Sequence, residues 1–165
     1  MSARAPAPRQ NRTVGWTTLL IAALACLAQT NATLAAHLAL DRSALAGLEG
    51  WRAWTGHLAH FSGAHLAWNL IPLLSVGLWA ERLAPTRTRA FYLLAPPLIS
   101  AVVLLDACLQ EYRGLSGIVM GLVGLVALHQ LRHDRSRARR IWPVVLMLIA
   151  VKLAWELWKG TAAFA

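Results

Sequence analysis

The chain has 165 residues, of which 58% are hydrophobic and only 14% charged, with a formal net charge of +9 and a mean hydropathy of +0.51. A soluble domain usually carries about 25% charged residues, so the deficit argues against a soluble domain and for a membrane protein. A basic chain suggests nucleic acid as a partner, but here the basic residues lie in short stretches between apolar runs, and nucleic-acid binding is not expected.

Residues 1–13 carry Arg4, Arg9 and Arg12 ahead of an apolar run that continues to about Leu40. That run is longer than the roughly 7–15 residues of a signal-peptide core. It is therefore read as a retained first span behind a cytoplasmic tail, with residues 14–165 forming one membrane domain. Five apolar segments follow in order, at about 14–38, 61–80, 90–108, 114–131 and 141–158. Each approaches the ~20 residues that cross a bilayer as a helix. None shows strand alternation, and a spanning backbone must satisfy its own hydrogen bonds. The expected fold class is all-α, a polytopic membrane bundle of five transmembrane helices.

Between the first two segments, Asp41 to His60 is rich in Trp and Gly and suits an amphipathic loop at the interface, where tryptophan prefers to sit. Pro72, Pro96, Pro97 and Pro143 fall in or near helices, which membrane bundles tolerate. Cys26 and Cys108 belong to different segments, and no disulfide between them is expected. With the N-terminus in the cytoplasm, the arginines at 82, 87, 89, 132, 135, 137, 139 and 140 join those of the tail inside. Arg42, Arg52, Arg113, Lys152 and Lys159 remain outside, in accord with the positive-inside rule. The same map puts His60, His65 and Ser116 near the outer face. The arginine-rich loop 132–140 is a topology signal that can also meet anionic lipid headgroups.

Two stretches carry chemistry. The first is His57-Leu-Ala-His60-Phe-Ser-Gly-Ala-His65-Leu-Ala-Trp-Asn69, and the second is Arg113-Gly114-Leu115-Ser116-Gly117. Polar groups inside hydrophobic spans are costly and mark a site by default. Ser116 opens an apolar helix and could simply be its N-cap. Gly117 and Gly121 could be an ordinary small-xxx-small packing pair. The functional reading gives the glycines another use: they strip bulk from around a nucleophile, while a helix N-terminus offers amides to an oxyanion. His65 and Asn69 are four apart, hence on one helical face, and both can donate hydrogen bonds. His60 lies five before His65, roughly 140° around an ideal helix, which is wrong for an i,i+4 zinc pair. His57 and His60 could ligate a metal from a loop, but no Cys or inward carboxylate completes such a site, so neither metal nor cofactor is expected.

Taken together, His60-x4-His65-x3-Asn69 and Gly114-Leu-Ser116-Gly117 resemble the motifs of rhomboid intramembrane serine proteases. The Trp51-Arg52 pair ahead of them and Glu81-Arg82 at the end of the second segment are similar to further rhomboid features. The resemblance covers roughly residues 14 to 131. It implies Ser116 as nucleophile and an oxyanion hole of His65, Asn69 and the Ser116 amide, with His60, Gly114 and Gly117 supporting. Small size and Lys152-Leu-Ala-Trp155-Glu156 resemble the rhombosortase branch, which processes bacterial proteins bearing a glycine-rich C-terminal sorting tail. The plainer reading of Lys152 and Glu156 is an i,i+4 ion pair with a snorkelling lysine.

The resemblance further implies a bacterial inner-membrane location, membrane lipids and a transmembrane or tail-sorted protein substrate as partners, and a general-base histidine on a sixth helix. The fifth segment runs close to Ala165, and none of the histidines takes that place. His129 is thirteen residues from Ser116 on the same segment, ~20 Å along a helix axis. The expectation is a truncated copy of a protease. The alternatives are a pseudoprotease that binds transmembrane segments, and an active enzyme using His60 or His65 as base. A small transporter would predict internal repeats, and none is visible.

Overall fold

The computed structural model describes residues 15–159, so the tail expected at 1–13 lies outside the described residues. In chain order the elements are α1 (Trp16–Gln29), α2 (Ala32–Leu38), the two-residue strand β1 (Leu40–Asp41), α3 (Arg42–Ala46), α4 (Arg52–Thr55), α5 (Gly63–Leu83), α6 (Pro85–Val103), β2 (Glu111–Tyr112), α7 (Ser116–His133), a 3₁₀ turn (Arg137–Arg140) and α8 (Ile141–Lys159). The mostly helical architecture agrees with the expected fold class.

Helix boundaries depart from the segments at three places, each for a local reason. The first segment breaks at Asn31, which is extended (φ −139°). Its Oδ1 accepts from the Thr33 and Leu34 amides at 2.8 and 3.1 Å, the N-cap geometry that starts a new helix. The expected connection after the second segment shrinks to Ala84, because Pro85 occupies the first position of α6, where its missing N–H costs nothing. Arg87 and Arg89 therefore lie on α6 itself. At the other end α6 stops at Val103, and Arg42 donates to the carbonyls of Leu104, Asp106 and Leu109 at 2.9, 2.7 and 3.0 Å. A guanidinium with several donors suits the acceptor-rich end of a helix.

Pro97 lies inside α6 and cannot donate to the carbonyl of Leu93 four residues earlier. The indole N–H of Trp54 does so instead, at 2.9 Å, which ties α4 to α6. β1 pairs with β2 in antiparallel register, Leu40 opposite Tyr112 and Asp41 opposite Glu111. This small clasp fastens the loop after α2 to the segment that leads into α7.

The Trp51-Arg52 pair does structural work in the same loop. Arg52 is buried; its guanidinium donates to Ala39 O at 2.8 Å and Ala36 O at 3.2 Å and pairs with Glu49 at 2.6 Å. It also stacks on Trp51, 4.9 Å from the ring centroid. Arg52 thus closes the carbonyl end of α2. Arg52→Ala leaves those carbonyls unsatisfied and is expected to cost about 2–4 kcal/mol. Thermal unfolding in detergent micelles reads this as a lower midpoint, and an unchanged midpoint would refute it.

Glu81 of α5 is fully buried, and its carboxylate accepts from the Thr18 amide in the first turn of α1 at 3.1 Å. An acidic group at a helix N-terminus answers both the orphan amides and the dipole. Thr18 Oγ1 and the Tyr92 hydroxyl share a hydrogen bond at 2.8 Å against Gly77, where an added Cβ would lie 2.5 Å from the Tyr92 oxygen. Arg82, next in sequence, is exposed.

The core lies between α5 and α7, around Leu66, Leu73, Leu115, Ile118, Leu122 and Val126. Helix α7 also packs against α6 and α8. Gly117 and Gly121 face α6: an added Cβ would meet Ile99 at the first and the Phe91 ring at the second, so the small-xxx-small pair is a packing seam. The outer surface is apolar. Leu20, Leu27, Trp68, Ile71, Leu93, Leu98, Val102, Val144, Leu148 and Val151 are all more than half or nearly half exposed, as on a surface that meets a membrane or another protein. Among the described residues no helix is long and apolar enough to cross a membrane, so helix length and hydropathy do not establish the five expected spans.

Candidate active site at the head of α7

Ser116 is the first residue of α7, preceded by Leu115 as N-cap, and no side chain caps this helix. The plain reading of Ser116 as a cap is therefore overturned. Its hydroxyl is buried and has no hydrogen-bond partner among the described residues. Two residues earlier, Gly114 has φ +134°, a conformation that L side chains rarely adopt. A Cβ there would lie 3.1 Å from Cε1 and 3.2 Å from Nε2 of His65. The imidazole of His65 thus rests against the backbone just ahead of Ser116, across the α5–α7 contact.

Helix α5 begins at Gly63, with Ser62 Oγ accepting from the His65 amide at 3.1 Å. His60 consequently lies in the loop before the helix, not on it, and the helical angle expected between His60 and His65 does not apply. The two rings meet edge to face, centroids 5.1 Å apart. Phe61 stacks on the other side of His65 at 6.2 Å and carries the Arg113 guanidinium 5.3 Å above its ring. Asn69 is buried and spends one amide proton on His65 O at 3.0 Å; its second N–H is left over.

His60 is almost fully buried. Its Nδ1 lies 3.1 Å from Leu58 O, and a carbonyl only accepts, so Nδ1 carries the proton. Nε2 is then a bare lone pair, and it too is buried without a partner. Burial, then the neighbouring His65, pushes the His60 imidazole down to about 4. The ring is neutral at pH 7. Because the unfolded chain binds this proton near 6.5 and the folded one only near 4, the fold loses stability as pH falls through that interval. The melting temperature is expected to drop between pH 7 and 5, and His60→Asn should flatten the slope. An equally steep slope in His60→Asn would exclude this origin.

His57 is also buried, but it is enclosed by acceptors. Nε2 lies 3.0 Å from Pro96 O and 3.1 Å from Ser100 Oγ, and Nδ1 lies 3.3 Å from Gly114 O. Ser100 donates its own proton to Ala53 O at 2.8 Å. Tyr112 donates to Gly114 O at 3.0 Å, and the Gly114 amide donates to Gly56 O at 3.2 Å. In the sequence His57 reads beyond its motif only as a loop metal ligand, and Tyr112, Gly56 and Ser100 belong to no motif. Only the Gly56-His57 adjacency to the histidine motif, and Tyr112's place two residues before Gly114, hinted at them.

Of the other predicted residues, Lys152 is half-buried on α8, while the side chain of Glu156 lies outside the described residues. His129 and His133 stack on each other at 4.3 Å toward the far end of α7, and His37 sits against Trp51 at 4.9 Å. No histidine hydrogen-bonds Ser116 among the described residues, and no metal-ligating cluster occurs there.

A helical bundle with an apolar exterior, holding a buried serine hydroxyl and a bare imidazole nitrogen around one glycine backbone, has the marks of a membrane protein with a hydrolase-like site. The match of the rhomboid domain to residues 47–165 makes the class specific: the chain belongs to the rhomboid family. The rhomboid protease GluP of Bacillus subtilis (strain 168) is 28% identical over 121 residues, which cover 73% of this chain and 24% of that protein. The chain spans about a quarter of the length of that curated relative. Rhomboids are intramembrane serine proteases and integral membrane proteins.

Proposed function

We propose that this chain is an intramembrane serine endopeptidase of the rhombosortase kind, a bundle of five spans in a bacterial inner membrane with its N-terminus in the cytoplasm. Ser116 attacks the scissile carbonyl and forms an acyl-enzyme that water releases. His65, the second N–H of Asn69 and the Ser116 amide stabilise the oxyanion, with His60 behind them, Gly114 keeping the space open and Gly117 supporting the head of α7 through its close packing on α6. The substrate is a membrane-anchored or C-terminally tail-sorted protein, cut near the outer face.

The observation that carries this reading is a pair of buried polar atoms left without partners, Ser116 Oγ and His60 Nε2, on either side of the His65–Gly114 contact. An unsatisfied buried polar group costs about 1–3 kcal/mol, a cost that a site for a polar reactant explains. Labelling of the purified chain by a fluorophosphonate probe, lost in Ser116→Ala, tests it. A second reading is favoured by one observation: among the described residues no histidine hydrogen-bonds Ser116, and a serine without a base is a weak nucleophile. On that reading the chain is a rhomboid-like module that binds transmembrane segments without cutting them, and the probe leaves it unlabelled.

A further inference from the structure

Gly114 is held through both of its peptide groups. Its N–H is fixed on Gly56 O, and its carbonyl oxygen takes the Tyr112 hydroxyl at 3.0 Å; His57 keeps its proton on Nε2, toward Pro96 O and Ser100 Oγ, so its Nδ1, 3.3 Å away, does not donate there. Tyr112 is 2% exposed. Its ring meets His57 edge-on at 5.3 Å, and its register opposite Leu40 in the β1–β2 pair fixes its backbone. The hydroxyl also lies under the first turn of α7, 3.6 Å from where a Cβ of Gly117 would be. A trans peptide is planar, so aiming the Gly114 carbonyl at Tyr112 aims the Leu115 N–H the opposite way. Glycine at φ +134° has little intrinsic preference to hold that orientation, so external donors must supply it.

We propose that Tyr112 is a positioning residue: its hydroxyl clamps the Gly114 carbonyl, sets the Gly114–Leu115 peptide, and so aims the uncapped amides at the head of α7 around Ser116. The clamp deepens the proteolytic reading and rests on it for its consequence in the reaction, though not for its existence.

Tyr112→Phe keeps the ring and removes only the donor. With full-length protein in micelles, the maximal rate of fluorophosphonate labelling at Ser116 is expected to fall about tenfold or more, while the probe concentration giving half that rate stays within about twofold. Independently of any reactivity, the chain has one Arg-Gly step, Arg113–Gly114, so carbon-13 arginine with carbon-13, nitrogen-15 glycine labels single out Gly114 and its own carbonyl carbon. That carbon loses its hydrogen-bond donor in Tyr112→Phe and should shift upfield. Wild-type labelling kinetics in that variant, or a lower melting temperature with unchanged kinetics, would overturn the clamp. If wild-type Ser116 does not label at all, the proteolytic reading fails alone and the Gly114 carbonyl carbon decides: an unchanged shift in Tyr112→Phe rejects the clamp, and an upfield shift supports it.

Discussion

Ser116→Ala is expected to reduce cleavage of a co-expressed tail-bearing or membrane-anchored substrate by at least about a thousandfold, since removal of a covalent nucleophile leaves only what oxyanion donors and binding supply. The same substitution should leave the fold intact. The hydroxyl is buried and makes no hydrogen bond among the described residues, so alanine removes an unsatisfied polar group and breaks nothing; replacing such a group with an apolar one is neutral or stabilising. Membrane insertion should be unchanged and the melting temperature equal or slightly higher. This pairing separates a catalytic serine from a structural one. A capping serine would behave in the opposite way, losing ~1 kcal/mol of stability with activity largely kept. Persistent cleavage in Ser116→Ala would remove Ser116 from the chemistry.

The sequence made the helices legible because an apolar run of about twenty residues admits few other structures. It was less informative about where they end. Asn31 interrupts the first run as a side-chain cap, a local signal that hydropathy averages away. The end of α6 is set by Arg42, more than sixty residues earlier in the chain. In the site, the spacing of His65 and Asn69 placed them correctly on one helix, because spacing within a helix has a fixed period. His60 was misplaced, because Ser62 starts the helix after it. The enclosure of Gly114 by His57, Tyr112 and Gly56 left only faint traces in the sequence, since it depends on three loops converging. Arg52 and Glu81 were singled out by resemblance. Their physical tasks, closing α2 and starting α1, emerge only from the packing.

Gly114→Ala is expected to be the most damaging single methyl that can be added to this chain's site. The backbone conformation at φ +134° is nearly closed to an L residue, and holding one there costs about 1–3 kcal/mol. The methyl would also stand 3.1 Å from the His65 ring, closer than ordinary contact. His65 cannot retreat freely, since Phe61 stacks on it and His60 meets its edge. The strain is therefore relieved by turning the Gly114–Leu115 peptide or by displacing His65, and either movement disturbs the head of α7. Cleavage or probe labelling should fall by about a hundredfold, with a melting temperature lowered but a folded protein retained. Two other glycines calibrate the result. Gly117→Ala would press on Ile99 at 2.9 Å and chiefly strain the α6–α7 seam. Gly124→Ala meets nothing within 4 Å, and in a helix interior it should be stabilising by roughly 0.5–1 kcal/mol with full activity. Equal activity across Gly114→Ala and Gly124→Ala would show that the geometry around residue 114 has no bearing on the reaction.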